Sequence, residues 1–471
     1  GSVLIREAVE KEGGLGTIKK KFQSKGGSKE ARLQIYLFND VLVHMKTSRK
    51  RPGATKSGEL SWPLALVWFQ DIKELDQQDP KNPHTFYLIG PGKCYTLRFA
   101  ELHEKMTWQN RIRDAIDKKL TEDNSGEDGI RFGSYKFPDK ECGEYEGWWK
   151  FGKIHGEGVY KFCGNVYTGA WIFNKKEGTG TMECVSGEVY HGEWLDDRPH
   201  GYGQLQYINR DRYDGEWKEG MRSGRGCHYF ANGDKYDGEW SLNLCHGEGV
   251  YTTSVGHFYC GTWKSGKMHG YGLLVTPNGR RYEGQFLNGQ RSGEGKLDYG
   301  NGDFYVGQWV DNRKQGKGLF HSSTEGVYDG YFVGEQKEGQ GIMHYTSGNV
   351  YDGQWKKNQP NGNGIMHFAC GGIAKYDGQW ENGLMSGKGT IYYKSGAKYE
   401  GHVKDGILHG HGKYIHDNAV VYEGQWKDGM RDGKGTMAVG PSKFQSTCTR
   451  GLMAQGKQVN FLVVPDIPNF Y

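Results

Sequence analysis

Five histidines recur at one place in the chain: His155, His200, His246, His269 and His409 each stand just before a Gly-x-Gly. Histidine moves protons near neutral pH and ligates metals, so a repeated histidine invites a catalytic or metal reading. Carboxylates recur too, in a Tyr-[Asp/Glu]-Gly setting at Glu146, Asp214, Asp237, Glu283, Asp329, Asp352, Asp377, Glu400 and Glu423. Oxygen ligands of that kind could hold calcium. "GKG" and "GEG" runs offer backbone amides to a phosphate. Spacing defeats each reading. A histidine repeated at one offset belongs to a turn, since the same active site several times over would be odd. The carboxylates fall on the strand face opposite the neighbouring aromatics and form a solvated ladder balanced by nearby Lys. No GxxxxGK[ST] is present, and no nucleophile–base pair. Nine cysteines lie scattered without a CxxC, as reduced thiols do, not as a zinc or disulfide framework. The expectation is a chain with no catalytic residue, no metal and no cofactor.

Charge is the one chemical signal left, and it is local. Residues 1–120 hold 22 Lys and Arg against 14 Asp and Glu, while the rest of the chain is net acidic. Two basic clusters stand out. Lys19, Lys20, Lys21 and Lys25 (with Lys29) form one; Lys46, Arg49, Lys50 and Arg51 (with Lys56) form the other. If their loops share one end of a small barrel, the charges converge on an anionic headgroup or leaflet. The spacing of Lys29 and Arg32 departs from the tight phosphoinositide signature, so charge-driven attraction is the reading. Aromatics recur through the repeats, but the array is net acidic, so nucleic acid is not the expected partner.

The elements that would position these residues fall into two patterns. From Tyr145 onward, Tyr-x-Gly-x-[aromatic] returns thirteen times at a near-fixed step of 23 residues, ending at Tyr422. Tyr213, Gly215 and Trp217 are two apart and so share one face of a strand; Gly224, Gly226 and His228 repeat the pattern after a short turn. Each unit is a β-hairpin too small to stand alone, and stacking is what stabilises it. Glycine on the ring face leaves the gap that a neighbouring ring enters.

Residues 3–119 read as consecutive antiparallel strands (16–23, 32–46, 58–64, 84–90 and 93–100) followed by a helix over 101–119. That helix puts Trp108, Ile112, Ala115 and Ile116 on one face.

The repeat resembles the MORN (membrane occupation and recognition nexus) motif, Y-x-G-x-W-x-x-G-x-x-x-G-x-G, matched by Tyr213 through Gly226. Phe286 and Phe332 replace the tryptophan, and Val403 removes the aromatic. The front, with "YLFNDVLV" at 36–43 and Trp108 in the closing helix, resembles a pleckstrin-homology (PH) domain of the kind that follows a Dbl-homology (DH) domain. The order is similar to the PH–MORN segment of alsin-like Rho-family guanine-nucleotide exchange factors.

The resemblance implies a mainly β chain: a PH barrel capped by one helix over 3–119, a linker over 120–133, and an array over 134–436. The array would be an elongated single-layer twisted sheet of about thirteen MORN hairpins, with a cap or tail over 437–471. It implies a non-catalytic membrane-targeting and scaffolding module, cytoplasmic and peripherally membrane-associated. A small GTPase would be reached only through a DH domain outside this chain. Implied partners are an anionic phospholipid, a second copy of the chain, and a protein or peptide on a ring-lined groove of Tyr213, Trp217, Tyr236, Trp240, Tyr259 and Trp263. The alternatives are a stand-alone cytoskeletal or membrane scaffold, and the non-catalytic part of a lipid-kinase-type enzyme.

Overall fold

The computed structural model describes residues 2–7, 20–24, 32–37, 41–47, 60–71, 84–99, 101–123, 129–138 and 143–453. Two units divide the chain: Gly1–Gly233 with Glu239–Asn243, and Asp234–Gly238 with Leu244–Tyr471.

The first unit opens with β1 (Ser2–Glu7), β2 (Lys20–Ser24), β3 (Arg32–Leu37), β4 (Val41–Thr47), β5 (Leu60–Pro63), β6 (Trp68–Asp71), β7 (Thr85–Gly90), β8 (Lys93–Arg98) and α1 (Leu102–Asp123). The strands pair in the order β5-β4-β3-β2-β1-β8-β7-β6. Every pair is antiparallel except β1 with β8, which is parallel and sets Val3 opposite Leu97. β5 and β6 sit at opposite ends of that order, yet only Leu64–Val67 separates them, mostly as one 3-10 turn. Four residues reach roughly 14 Å. Eight strands laid flat would hold their outer members about 34 Å apart. The sheet must therefore curl until its edges nearly meet. Trp62, Leu64, Leu66, Phe86, Leu88 and Leu97 are at most 1% exposed. α1 packs on the 3-10 turn and buries Trp108, Ile112 and Ile116.

Three expectations change here. The run 32–46 is two strands, β3 and β4, which pair with Leu37 opposite Leu42. The chain reverses sense once, at β1 and β8, so the sheet is not wholly antiparallel. The segment 120–133 is not a linker throughout: α1 runs to Asp123, and β9 (Ile130–Lys136) already pairs with β10 (Glu144–Lys150). β9 sets Gly133 opposite Gly147 and Tyr135 opposite Tyr145, which makes it the second half of a hairpin.

One hairpin stands for the array. Arg212–Lys218 and Met221–Tyr229 are joined by Glu219 and Gly220, both at positive φ (52° and 81°), as a two-residue turn requires. Gly215 faces Gly226, but Trp217 faces Arg222, so the second strand carries two extra residues at a bulge around Gly224. A bulge bends its strand and sharpens the twist. That bend lets a sheet one layer thick bury its own ring face. Glycines face glycines from Gly133 through Gly226 in the first unit, and from Gly249 through Gly435 in the second.

The segment 437–453 is not a separate cap. Ser442–Thr449 adds a strand in which Phe444, Ser446 and Cys448 face Met437, Gly435 and Gly433. Those are the places of the tyrosine, glycine and tryptophan, so this is a fourteenth half-copy in degenerate form. Residues 454–471 lie outside the described residues.

Candidate functional site

The rings decide which face is available. Tyr213 folds back along its own strand and donates its hydroxyl to the Glu216 carbonyl at 3.0 Å. Its ring covers Gly226, where any Cβ would collide with it. The Trp217 indole N–H donates to Gly203 of the preceding hairpin at 3.1 Å, and Trp240 does the same to Gly226 at 3.0 Å. Tyr213 meets Trp217 and Trp240 edge to face, with centroids 5.3 Å away in both cases. Tyr213, Trp217, Tyr236, Trp240 and Tyr259 are at most 6% exposed, and Trp263 is half-buried. Neighbouring rings and backbone already cover five of the six rings of the expected groove. Burial pushes the Tyr213 and Tyr259 hydroxyls far above the ordinary phenol range.

What lies over the rings is a row of cations that spacing alone did not single out. The residue facing the ring in register is Lys176, Arg222, Arg291, Lys314, Lys337 or Arg431 in six hairpins. Each sits on rings. Arg222 lies 4.2 Å from the Trp240 centroid, Arg291 4.3 Å from Trp309, and Lys314 4.4 Å from Phe320. Burial pulls the Arg291 and Arg431 guanidinium groups below their ordinary value. The signal was a Lys or Arg two residues after the hairpin turn, visible only once the bulge fixes which side it faces.

Polar side chains hold the hairpin ends. Asn243 accepts from the Arg222 amide at 2.8 Å, and Asn312 from the Arg291 amide at 2.9 Å. At the other end Asp211 accepts from Ala231 and Asp303 from Ser323. Glu216 accepts the Arg225 amide at the bulge, as Gln354 does for Asn363. On the opposite face the Tyr-[Asp/Glu]-Gly carboxylates pair with bases two residues earlier: Arg212 with Asp214, Lys235 with Asp237, Arg281 with Glu283. Among the described residues no cluster of His, Cys, Asp and Glu could hold a metal.

One hairpin carries a buried network. His228 Nδ1 accepts from Arg222 Nη1 at 3.0 Å, and its Nε2–H donates to Asp211 at 3.3 Å. That geometry fixes the neutral imidazole. Burial first, and the Arg222 charge after it, holds His228 below its ordinary value despite the Asp211 hydrogen bond.

Of the front candidates, Lys20 and Lys21 stand in β2 and Lys46 in β4, two strands apart in one sheet. Lys19, Lys25, Arg49, Lys50 and Arg51 lie outside the described residues. The front is joined to the array by Arg131 of β9, whose Nη1 donates to Ala65 and Val67 carbonyls at 3.3 and 2.5 Å. Its guanidinium lies 4.7 Å over Trp68, whose indole N–H donates to Gly129 at 3.1 Å. Burial lowers Arg131 to about 10. Among the described residues no helix is long and apolar enough to cross a membrane.

Alsin of Homo sapiens and of Pan troglodytes is 27% identical over 161 residues, a match covering 31% of this chain. The matched part spans 9% of those proteins' length, and alsin of Rattus norvegicus matches to the same extent. The family model of the MORN repeat matches thirteen segments, from residues 145–165 to 422–438. Those segments cover more than half of the chain and coincide with the stacked hairpins, so this protein belongs to the MORN repeat family.

Proposed function

We propose that the chain is the membrane-targeting and protein-scaffolding part of a Rho-family guanine-nucleotide exchange factor, with a PH domain at its front and an exchange domain outside this sequence. MORN repeats serve protein binding and membrane scaffolding at the coarse level. The observation that carries the finer reading is the Arg131 joint. A curled sheet with one closing helix is locked directly to the first hairpin strands, so the front and the array's head act as one piece. The likeness to alsin supports the exchange-factor context. In this reading Lys19, Lys20, Lys21, Lys25, Lys46, Arg49, Lys50 and Arg51 draw the front to anionic lipid, each contributing about 1 kcal/mol near the surface. The array recruits a protein partner, and the chain itself does no chemistry.

The test is flotation with phosphoinositide-containing liposomes. Charge reversal at Lys19–Lys21 and Arg49–Arg51 is expected to abolish flotation and leave melting unchanged. Flotation that survives both reversals refutes the membrane assignment. Nucleotide exchange catalysed by this chain alone refutes the assignment of activity to an outside domain.

A further inference from the structure

Two hairpins build the same cation site and finish it differently. In the first unit Arg222 donates its amide to Asn243 Oδ1 at 2.8 Å and Nη2 to the Asn243 carbonyl at 2.9 Å, and lies on Trp240. In the second unit Arg291 repeats this on Asn312, at 2.9 Å in both contacts, and lies on Trp309. Arg222 then spends its other amino group, Nη1, on His228, and His228 hands on to Asp211. At the Arg291 site the residue in the place of His228 is Leu297, and the residue in the place of Asp211 is Arg280. The acceptor is gone and the carboxylate has become a second cation. Arg280 also interrupts the column in which Asp211, Asp303 and Asn349 accept the next hairpin's amide.

The result is a cavity of about 540 Å³ walled by Leu274, Leu297 and Tyr299 and carrying Arg280, Arg291 and Arg313. Glu335 reaches its rim, but that carboxylate already accepts the Lys314 amide at 2.8 Å and pairs with the Lys314 ammonium at 3.5 Å. Among the described residues no carboxylate is hydrogen-bonded to Arg280, Arg291 or Arg313. Arg280 lies 5.9 Å over Tyr299; at Arg291 the Glu335 charge acts favourably and the Arg280 charge opposes it.

We infer that this cavity binds an acidic peptide segment of a protein partner, a carboxylate bridging Arg280 and Arg291 where Asp211 and His228 stand in the first unit, with a neighbouring large apolar side chain against Leu274, Leu297 and Tyr299. Guanidinium groups take carboxylates through paired, charge-assisted hydrogen bonds, and a cavity of this size holds a few side chains. A free phosphate would satisfy the arginines but leave the apolar wall wet. The inference rests on the scaffold reading and names the chemistry of its partner.

The test pans a random peptide phage library on the full chain and on Arg280→Asp/Leu297→His, which copies the self-capped arrangement of the first unit. Peptides enriched on the wild type should carry Asp or Glu next to Leu, Phe, Tyr or Trp. A synthetic peptide of the enriched sequence should bind the double variant, and its own Asn/Gln counterpart should bind the wild type, about tenfold or more weaker, a loss of roughly 1.4 kcal/mol. If circular dichroism shows the double variant misfolded, the exposed change Arg280→Gln takes its place with the same expectation. Peptides that lack acidic residues, or that bind the variants equally well, overturn the cavity assignment and leave the scaffold reading standing. Enrichment of nothing on either protein removes both.

Discussion

Trp217 of one hairpin hydrogen-bonds the Gly203 carbonyl of the hairpin before it, indole nitrogen to oxygen 3.1 Å. That bond makes the tryptophan a rivet between repeats as well as a ring in the core. Trp217→Phe keeps the edge-to-face contact and loses the bond, which should cost about 1 kcal/mol. Trp217→Ala should cost about 3–5 kcal/mol. Phe286 shows that a bare ring fits, meeting Tyr282 at 5.1 Å. Urea melts of the two variants check the order, and equal losses would contradict it.

Gly226→Ala should destabilise the fold although it adds only a methyl group. The new Cβ would collide with the Tyr213 ring, which is fixed between Trp217 and Trp240. Overpacking of this sort costs roughly 1–3 kcal/mol. A melting midpoint within error of wild type would show that the ring can move aside.

Acid should destabilise the hairpin of His228. Its folded-state value lies below the ordinary 6.5, so the neutral ring's contribution is complete above that value. It is lost as pH falls through the folded value, because the unfolded chain takes up the proton first. Unfolding free energies at pH 8 and pH 5 should differ more for the wild type than for His228→Leu, the arrangement found at Leu297. The same pH slope in both would place the sensitivity elsewhere.

Arg131→Ala should uncouple the front from the array. It strips the donors from the Ala65 and Val67 carbonyls and uncovers Trp68. Removing one side of a buried charged hydrogen bond costs about 1.5–3 kcal/mol. New proteolytic cleavage within 124–128 and a split calorimetric transition are expected. Unchanged cleavage would mean that other contacts hold the joint.

Much of this was legible in the sequence, and the reasons for the rest are specific. The period of 23 and the pairing of Tyr213 with glycine gave the hairpins, and period-two alternation gave their buried face. The half-copy at β9 was hidden because only Gly133 and Tyr135 survive of the motif. The one at 444–448 was hidden because serine and cysteine stand where glycine and tryptophan do elsewhere. The cation row escaped because its direction depends on the bulge at Gly224, and spacing says nothing about where a strand bends. The same bend covers Trp217 and Trp240, which in a flat strand would line an open groove.

The step from Tyr351 to Tyr376 is two residues longer than the usual 23, yet Gly364 still faces Gly378. The surplus is taken up in the connection before Lys375, where the ladder is irregular between Ile373 and Lys375. These connections thus behave as expansion joints. Epitope tags or fluorescent labels spliced between Cys370 and Gly371, which leaves the bonded Ala369 and Gly372 in place, should leave the neighbouring ladder undisturbed, while the same graft beside Gly387 would break the bulge of its own hairpin.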